Sequence, residues 1–151
     1  MSANRNSEVD KLLQVLDGRG SDSEFTAIQA LASREALPEL LLLVYRSAKA
    51  WGVRASCVYH AIHYAANNES AFTLGLEGAT DRSRVVRYRA CMLLAVAQRS
   101  EAIPTLVKAA ELPGTSEDAT AAIDAIRSGN HNFFVDRDHS GKVKLSFGGT
   151  S

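Results

Sequence analysis

The chain has 151 residues, 46% of them hydrophobic and 23% charged, with 17 basic side chains against 17 acidic ones. That length suits a single domain, and high apolar content without net charge excludes intrinsic disorder. The same balance speaks against a dedicated binder of nucleic acid or of anionic membranes, which carries a global basic excess.

From the first residue onward the pattern is helical. Met1 to Asp10 contains no apolar run of the kind that forms a signal-peptide core. Helices are expected at 7–17, 22–34, 36–47, 51–66, 69–79, 83–99, 101–111 and 116–128. The breaks between them fall at Gly18-Arg19-Gly20, Asn67-Asn68, Gly78 and Pro113-Gly114. Pro38 and Pro104 fall in first turns, where a missing N–H costs little because that donor has no acceptor within the helix. The longest strongly apolar stretch, Leu40 to Tyr45, is far below the ~20 residues needed to span a bilayer. Cys57 and Cys91 lie within helical patterns and lack a Cys-x-x-Cys partner, so a reduced, cytoplasmic setting is expected.

Self-comparison reveals an internal repeat. Glu35-Ala36-Leu37-Pro38-Glu39-Leu40-Leu41 recurs 66 residues on as Glu101-Ala102-Ile103-Pro104-Thr105-Leu106-Val107, and Glu69-Ser70-Ala71-Phe72-Thr73-Leu74-Gly75 lies midway. Independently, Val53-Arg54 recurs as Val86-Arg87 after 33 residues. Each unit reads as two helices, and a pair that short cannot bury its apolar surface alone, so successive pairs must stack.

These motifs resemble HEAT-like repeats over about residues 20–128. The resemblance is carried by Asp81-Arg82-Ser83-Arg84-Val85-Val86-Arg87, the alanine-rich helix after it, and the Glu-Ala-Ile-Pro-x-Leu that follows. It implies an all-α fold, a short right-handed α-solenoid of antiparallel helix pairs over residues 1–130. It also implies a link between neighbouring repeats through Asp81 and Arg87, although Ala48 stands where an equivalent partner of Arg54 would be. The period is shorter than is common in that family. Residues 131–151 form the remaining unit. Asn132 to Val135 and Lys142 to Phe147 alternate like strands around a turn-rich Asp136 to Gly141, so a β-hairpin is expected, packed on the last repeat or extending from it.

In such a stack the second helix of each pair lines the concave surface. On helix 51–66, Ala55, Cys57, Val58, Ala61, Ile62 and Ala65 form an apolar arc, while Ser56, Tyr59, His60, His63 and Tyr64 gather opposite. These five, with Arg89, Met92 and Val96 at the equivalent arc one repeat later, are the candidate partner-binding residues. Helix 83–99 is apolar nearly all round, so it is either central and covered by the C-terminal segment or the wall of a hydrophobic groove.

Other chemistry is thinly supported. His60 and His63 could share a metal, but no third ligand is spaced to join them. Asp136, Asp138 and Ser140 match part of a calcium loop, yet Phe147 replaces the bidentate Glu such a loop needs, which favours a plain charged turn. No paired carboxylate or activated nucleophile accompanies the histidines, so neither catalysis nor a cofactor is expected. The expectation is therefore a non-enzymatic module that binds another protein. The resemblance suggests immunity to a bacterial toxin as its most specific form. Two alternatives remain. One is a HEAT-like nucleic-acid binder using Arg82, Arg84 and Arg89 with Arg46, Lys49 and Arg54, disfavoured because Glu101, Glu111, Glu117 and Asp118 offset the arginines. The other is an accessory subunit of the chromophore-lyase type, with a small hydrophobic ligand near Met92 and Val96.

Overall fold

The computed structural model describes residues 2–18, 21–32 and 36–146. The expected break at Arg19-Gly20, the end of the second helix with Glu35 of the first repeat motif, and Phe147 with the tail beyond it lie outside the described residues. Among the described residues there are eight α-helices: α1 (Ser2–Val15), α2 (Asp22–Ala32), α3 (Leu37–Ser47), α4 (Trp51–Ala61), α5 (Glu69–Gly78), α6 (Arg84–Ala97), α7 (Ile103–Ala109) and α8 (Ser116–Arg127). Short 3-10 turns follow α4, precede α7 and cover His131–Phe134. The protein is all-α.

Local chemistry fixes the boundaries. The Asn68 side chain accepts the Ala71 N–H at 2.9 Å to open α5, and Ser21 does the same for Glu24 ahead of α2. Pro38 and Pro104 occupy the first turns of α3 and α7 as expected. Helix α6 stops where Gln98 turns left-handed, at φ 56°, and its amide donates to the carbonyls of Ala95 and Ala125.

Neighbours in sequence pack as pairs: α1 with α2, α3 with α4, α5 with α6 and α7 with α8. Between pairs, first helices touch first helices (α1, α3, α5) and second helices touch second helices (α4, α6, α8). The core follows this order, with Leu37, Leu41 and Val44 of α3, Val58 and Ile62 after them, Leu74 of α5, Leu93 and Leu94 of α6, and Leu106 of α7 all buried. Gly75 lets α5 approach α6 closely, since a Cβ there would sit 2.5 Å from Leu93 Cδ2. Helix α6 is central: it packs on α4, α5, α8 and the 3-10 turn at 131–134. The helix is thus covered on most sides, with Val85 and Tyr88 left exposed on it.

Two expectations are corrected. Asp81 links neighbouring pairs, but its carboxylate does not take Arg87. It accepts from Arg54 Nε at 2.8 Å and Nη2 at 3.1 Å, the Tyr45 hydroxyl at 2.7 Å and the Ser83 N–H at 2.8 Å. Arg87 instead reaches forward to Thr115 Oγ1 and the Pro113 carbonyl, and back only to the Asp81 backbone carbonyl. Each arginine thus points into the following unit, which leaves the carboxylate to the residue arriving from the preceding one.

The second correction concerns the C-terminal segment, where no described residue is in a strand. His131–Phe134 winds as a 3-10 turn because Phe134 is drawn into full burial beside Tyr88 and the small side chains of α8. Asp136 then closes the next loop on itself, accepting from the Ser140 N–H and hydroxyl and the Gly141 N–H. Leu145 N–H bonds to the Asn132 side chain rather than to a ladder partner. The segment packs on α8 and α6, tied further by Arg137 to Asp118 and His139 to Asp124.

Candidate functional site

The expected binding face on α4 divides in two. Ser56 and His60 are buried, at 1% and 3% exposure, and so cannot be surface contacts. They meet Glu24 of α2, itself 2% exposed: His60 Nε2 lies 2.6 Å from Oε2, and the Ser56 hydroxyl donates to Oε1 at 3.2 Å. The Asp17 N–H donates to the same Oε1 at 3.1 Å, so this buried carboxylate accepts from three directions. Burial pushes His60 below the ordinary imidazole range, against the opposing pull of Glu24. Serine, histidine and an acid come together here, but both side chains bond to the carboxylate and all are sealed from solvent, the arrangement of an internal tie between helices.

Elsewhere the face stays open. Tyr59 and Tyr64 are half-buried, and His63 is exposed in the turn after α4, while His60 is buried against Glu24. Arg89 of α6 is half-buried, with its guanidinium carbon 5.2 Å from the Tyr59 ring centre. Tyr59 meets His60 edge-on, and His60 meets Phe25 of α2 in the same way. Phe25, Tyr59 and Arg89 therefore form a strip across three second helices, floored by His60. Tyr88 continues it onto Phe134, whose ring also lies 5.3 Å from the Arg137 guanidinium. Met92 is half-buried, and Val96 is buried and offers no surface.

Charge on this side is uneven. Four of the eight α-helix starts carry acids that suit the positive end of the dipole: Asp22 and Glu24 on α2, Glu39 on α3, Glu69 on α5, and Glu117 with Asp118 on α8. Helices α1, α4, α6 and α7 carry none, and of these α4 and α6 are preceded or opened by Lys49, Arg82 and Arg84. Between these two starts lies a cavity of about 330 Å3, lined by those three residues, Trp51, Arg54 and Val85. Arg82 also donates weakly to the Lys49 carbonyl, at 3.4 Å.

Sequence reasoning missed Phe25, Trp51, Val85 and Tyr88. All four are exposed and all lie on second helices, with Trp51 the most open at 55%. Their signal was present as large apolar residues off the core-facing arc. Reactive groups are placed differently: Cys57 and Cys91 are both fully buried free thiols, and burial raises the first and pushes the second up to about 12. Asp136 spends both oxygens within its own loop, and Asp138 and Ser140 are exposed beside it. No cluster of three metal-ligating side chains converges among the described residues. Among the same residues no helix is long and apolar enough to cross a membrane.

Compared with known proteins, the chain matches no family model, no curated protein and no solved structure.

Proposed function

We propose that the protein is a non-enzymatic protein-binding module whose helix pairs stack as a short HEAT-like α-solenoid and whose second-helix face receives a partner protein. One observation carries this reading: of the six exposed large apolar side chains among the described residues, four, Phe25, Trp51, Val85 and Tyr88, lie on second helices, which also bear the Tyr59–Arg89 pair, while Val107 lies on α7 and Val143 in the C-terminal segment. Tryptophan, tyrosine and arginine are the residues that anchor interfaces, because they bury much area for little lost freedom. The buried thiols and the internal Ser56–Glu24–His60 tie also fit a scaffold better than a reaction centre. Toxin neutralisation is the specific form of this reading that the repeat resemblance suggests.

The test compares immobilised wild type with a Phe25→Ser/Arg89→Glu variant in lysate of the native host. The reading expects one protein retained in stoichiometric amount by the wild type and lost by the variant. Equal retention by both, or none by the wild type, would count against this face.

A further inference from the structure

Among the described residues, the cavity between the starts of α4 and α6 is the place on the second-helix side where cations gather against the helix dipoles. Basic side chains at a helix start weaken the helix, so their concentration at two adjacent starts opposes folding locally. Departures of that kind mark functional positions. Arg54, on the cavity floor, is neutralised by Asp81, whereas Lys49, Arg82 and Arg84 form no ion pair among the described residues. Beside them stand Trp51, the only tryptophan of the chain and more than half exposed, and the exposed Val85.

We propose that this cavity docks an acidic segment of a partner polypeptide, with carboxylates against Lys49, Arg82 and Arg84 and an apolar side chain against Trp51 and Val85. Charge complementarity selects the occupant. The positive field covers two helix starts and then reverses, because Arg84 also lines a second cavity with Glu117 and Asp118 at the start of α8. A phosphate backbone running along this edge would meet those carboxylates. Arg46 and Arg54, which could have extended a basic track, are spent on Glu77 and Asp81. A short acidic stretch with an anchoring side chain fits both the extent of the charge and the exposed indole.

The inference rests on the protein-binding reading only in taking the ligand to be a polypeptide, and its test needs no natural partner. Because Trp51 is unique, its emission reports the cavity directly. Titration of the intact chain with a tryptophan-free peptide of alternating Glu and Phe should give a saturable change that weakens with salt. The matched Lys/Phe peptide should give none. In Lys49→Gln/Arg84→Gln, whose side chains are exposed and outside the core, affinity should fall about tenfold with an unchanged melting curve. An equal response to both peptides, an unaltered response in the variant, or saturation by oligodeoxythymidine without response to the acidic peptide would overturn the proposal. In any of those cases the partner capture dependent on Phe25 and Arg89 would still decide the broader reading separately.

Discussion

Arg54 and Arg87 stand 33 positions apart and do the same thing in different company. Each donates back to the carbonyl six residues earlier, Ala48 or Asp81, and each reaches forward to the loop before the next second helix. Arg54 ends on the Asp81 carboxylate, while Arg87 ends on the neutral oxygens of Pro113 and Thr115. Both are 6% exposed, and neither guanidinium can shed its charge. The repeat therefore preserves the donor and its backward bond, while the forward acceptor is free to vary. The comparison breaks most readily at the charged acceptor. Asp81→Ala would leave the buried Arg54 charge without its counter-ion, with only the Ala48 and Lys49 carbonyls on it and the Glu77 carbonyl on the Tyr45 hydroxyl, and should cost about 3–5 kcal/mol in urea unfolding. A loss no greater than that of a single neutral hydrogen bond would mean that water reaches Arg54 and that the two sites are alike.

Thr115→Val is the matching cut at the second site. It removes one acceptor of a charge-assisted bond but leaves two carbonyls on the same guanidinium, so about 1.5–3 kcal/mol is expected by the same measurement. If it equalled Asp81→Ala, formal charge at the acceptor would not matter here.

Acid sharpens the difference, because only one of the two acceptors titrates. Burial alone would raise Asp81, but Arg54, the Ser83 N–H and Tyr45 outweigh it and hold the carboxyl below its ordinary 3.8. A depressed carboxyl gives stability that is complete above about 3.8 and is lost as pH falls through the folded-state value. The Ser56–Glu24–His60 tie fails earlier. His60 is lowered from 6.5, so the unfolded chain binds the extra proton first, and stability declines as pH drops below about 6.5. The melting temperature should fall modestly between neutral pH and pH 5 in the wild type, and less in His60→Gln. Parallel curves for the two proteins would remove His60 from that window.

The sequence is most legible where burial alone decides. All eight helices were expected, and the arc from Ala55 through Cys57, Val58, Ala61, Ile62 and Ala65 is buried throughout. Periodicity works there because those side chains have no alternative to the core. It fails at Ser56 and His60, since a helical wheel ranks polarity and cannot see that α2 presents a complementary carboxylate from 36 residues away. The Asp81 link fails for a related reason. The six-residue spacing to Arg87 is real, but it serves a backbone carbonyl, and only the fold brings Arg54 to the side chain. In the C-terminal segment, alternating apolar residues resembled a strand, yet Phe134 gains more by turning into the space beside α8 and Tyr88.

The smallest stability effect is expected where the functional reading asks for the largest change in binding. Phe25 is exposed and Arg89 half-buried, and their contacts are one edge-on ring pair and one cation over the Tyr59 ring. Such contacts at a wet surface are each worth about 0.5–1 kcal/mol. Phe25→Ser/Arg89→Glu should therefore cost no more than about 2 kcal/mol, well under the cost of Asp81→Ala, while abolishing partner retention. The physical basis is that the strip lies over a floor already tied down by Glu24 and His60, so helix spacing does not depend on the residues above it. If the variant unfolds as readily as Asp81→Ala, the strip is part of what holds α2, α4 and α6 together. Its aromatic content would then be explained by packing, leaving the cavity beside Trp51 as the only candidate surface argued from charge.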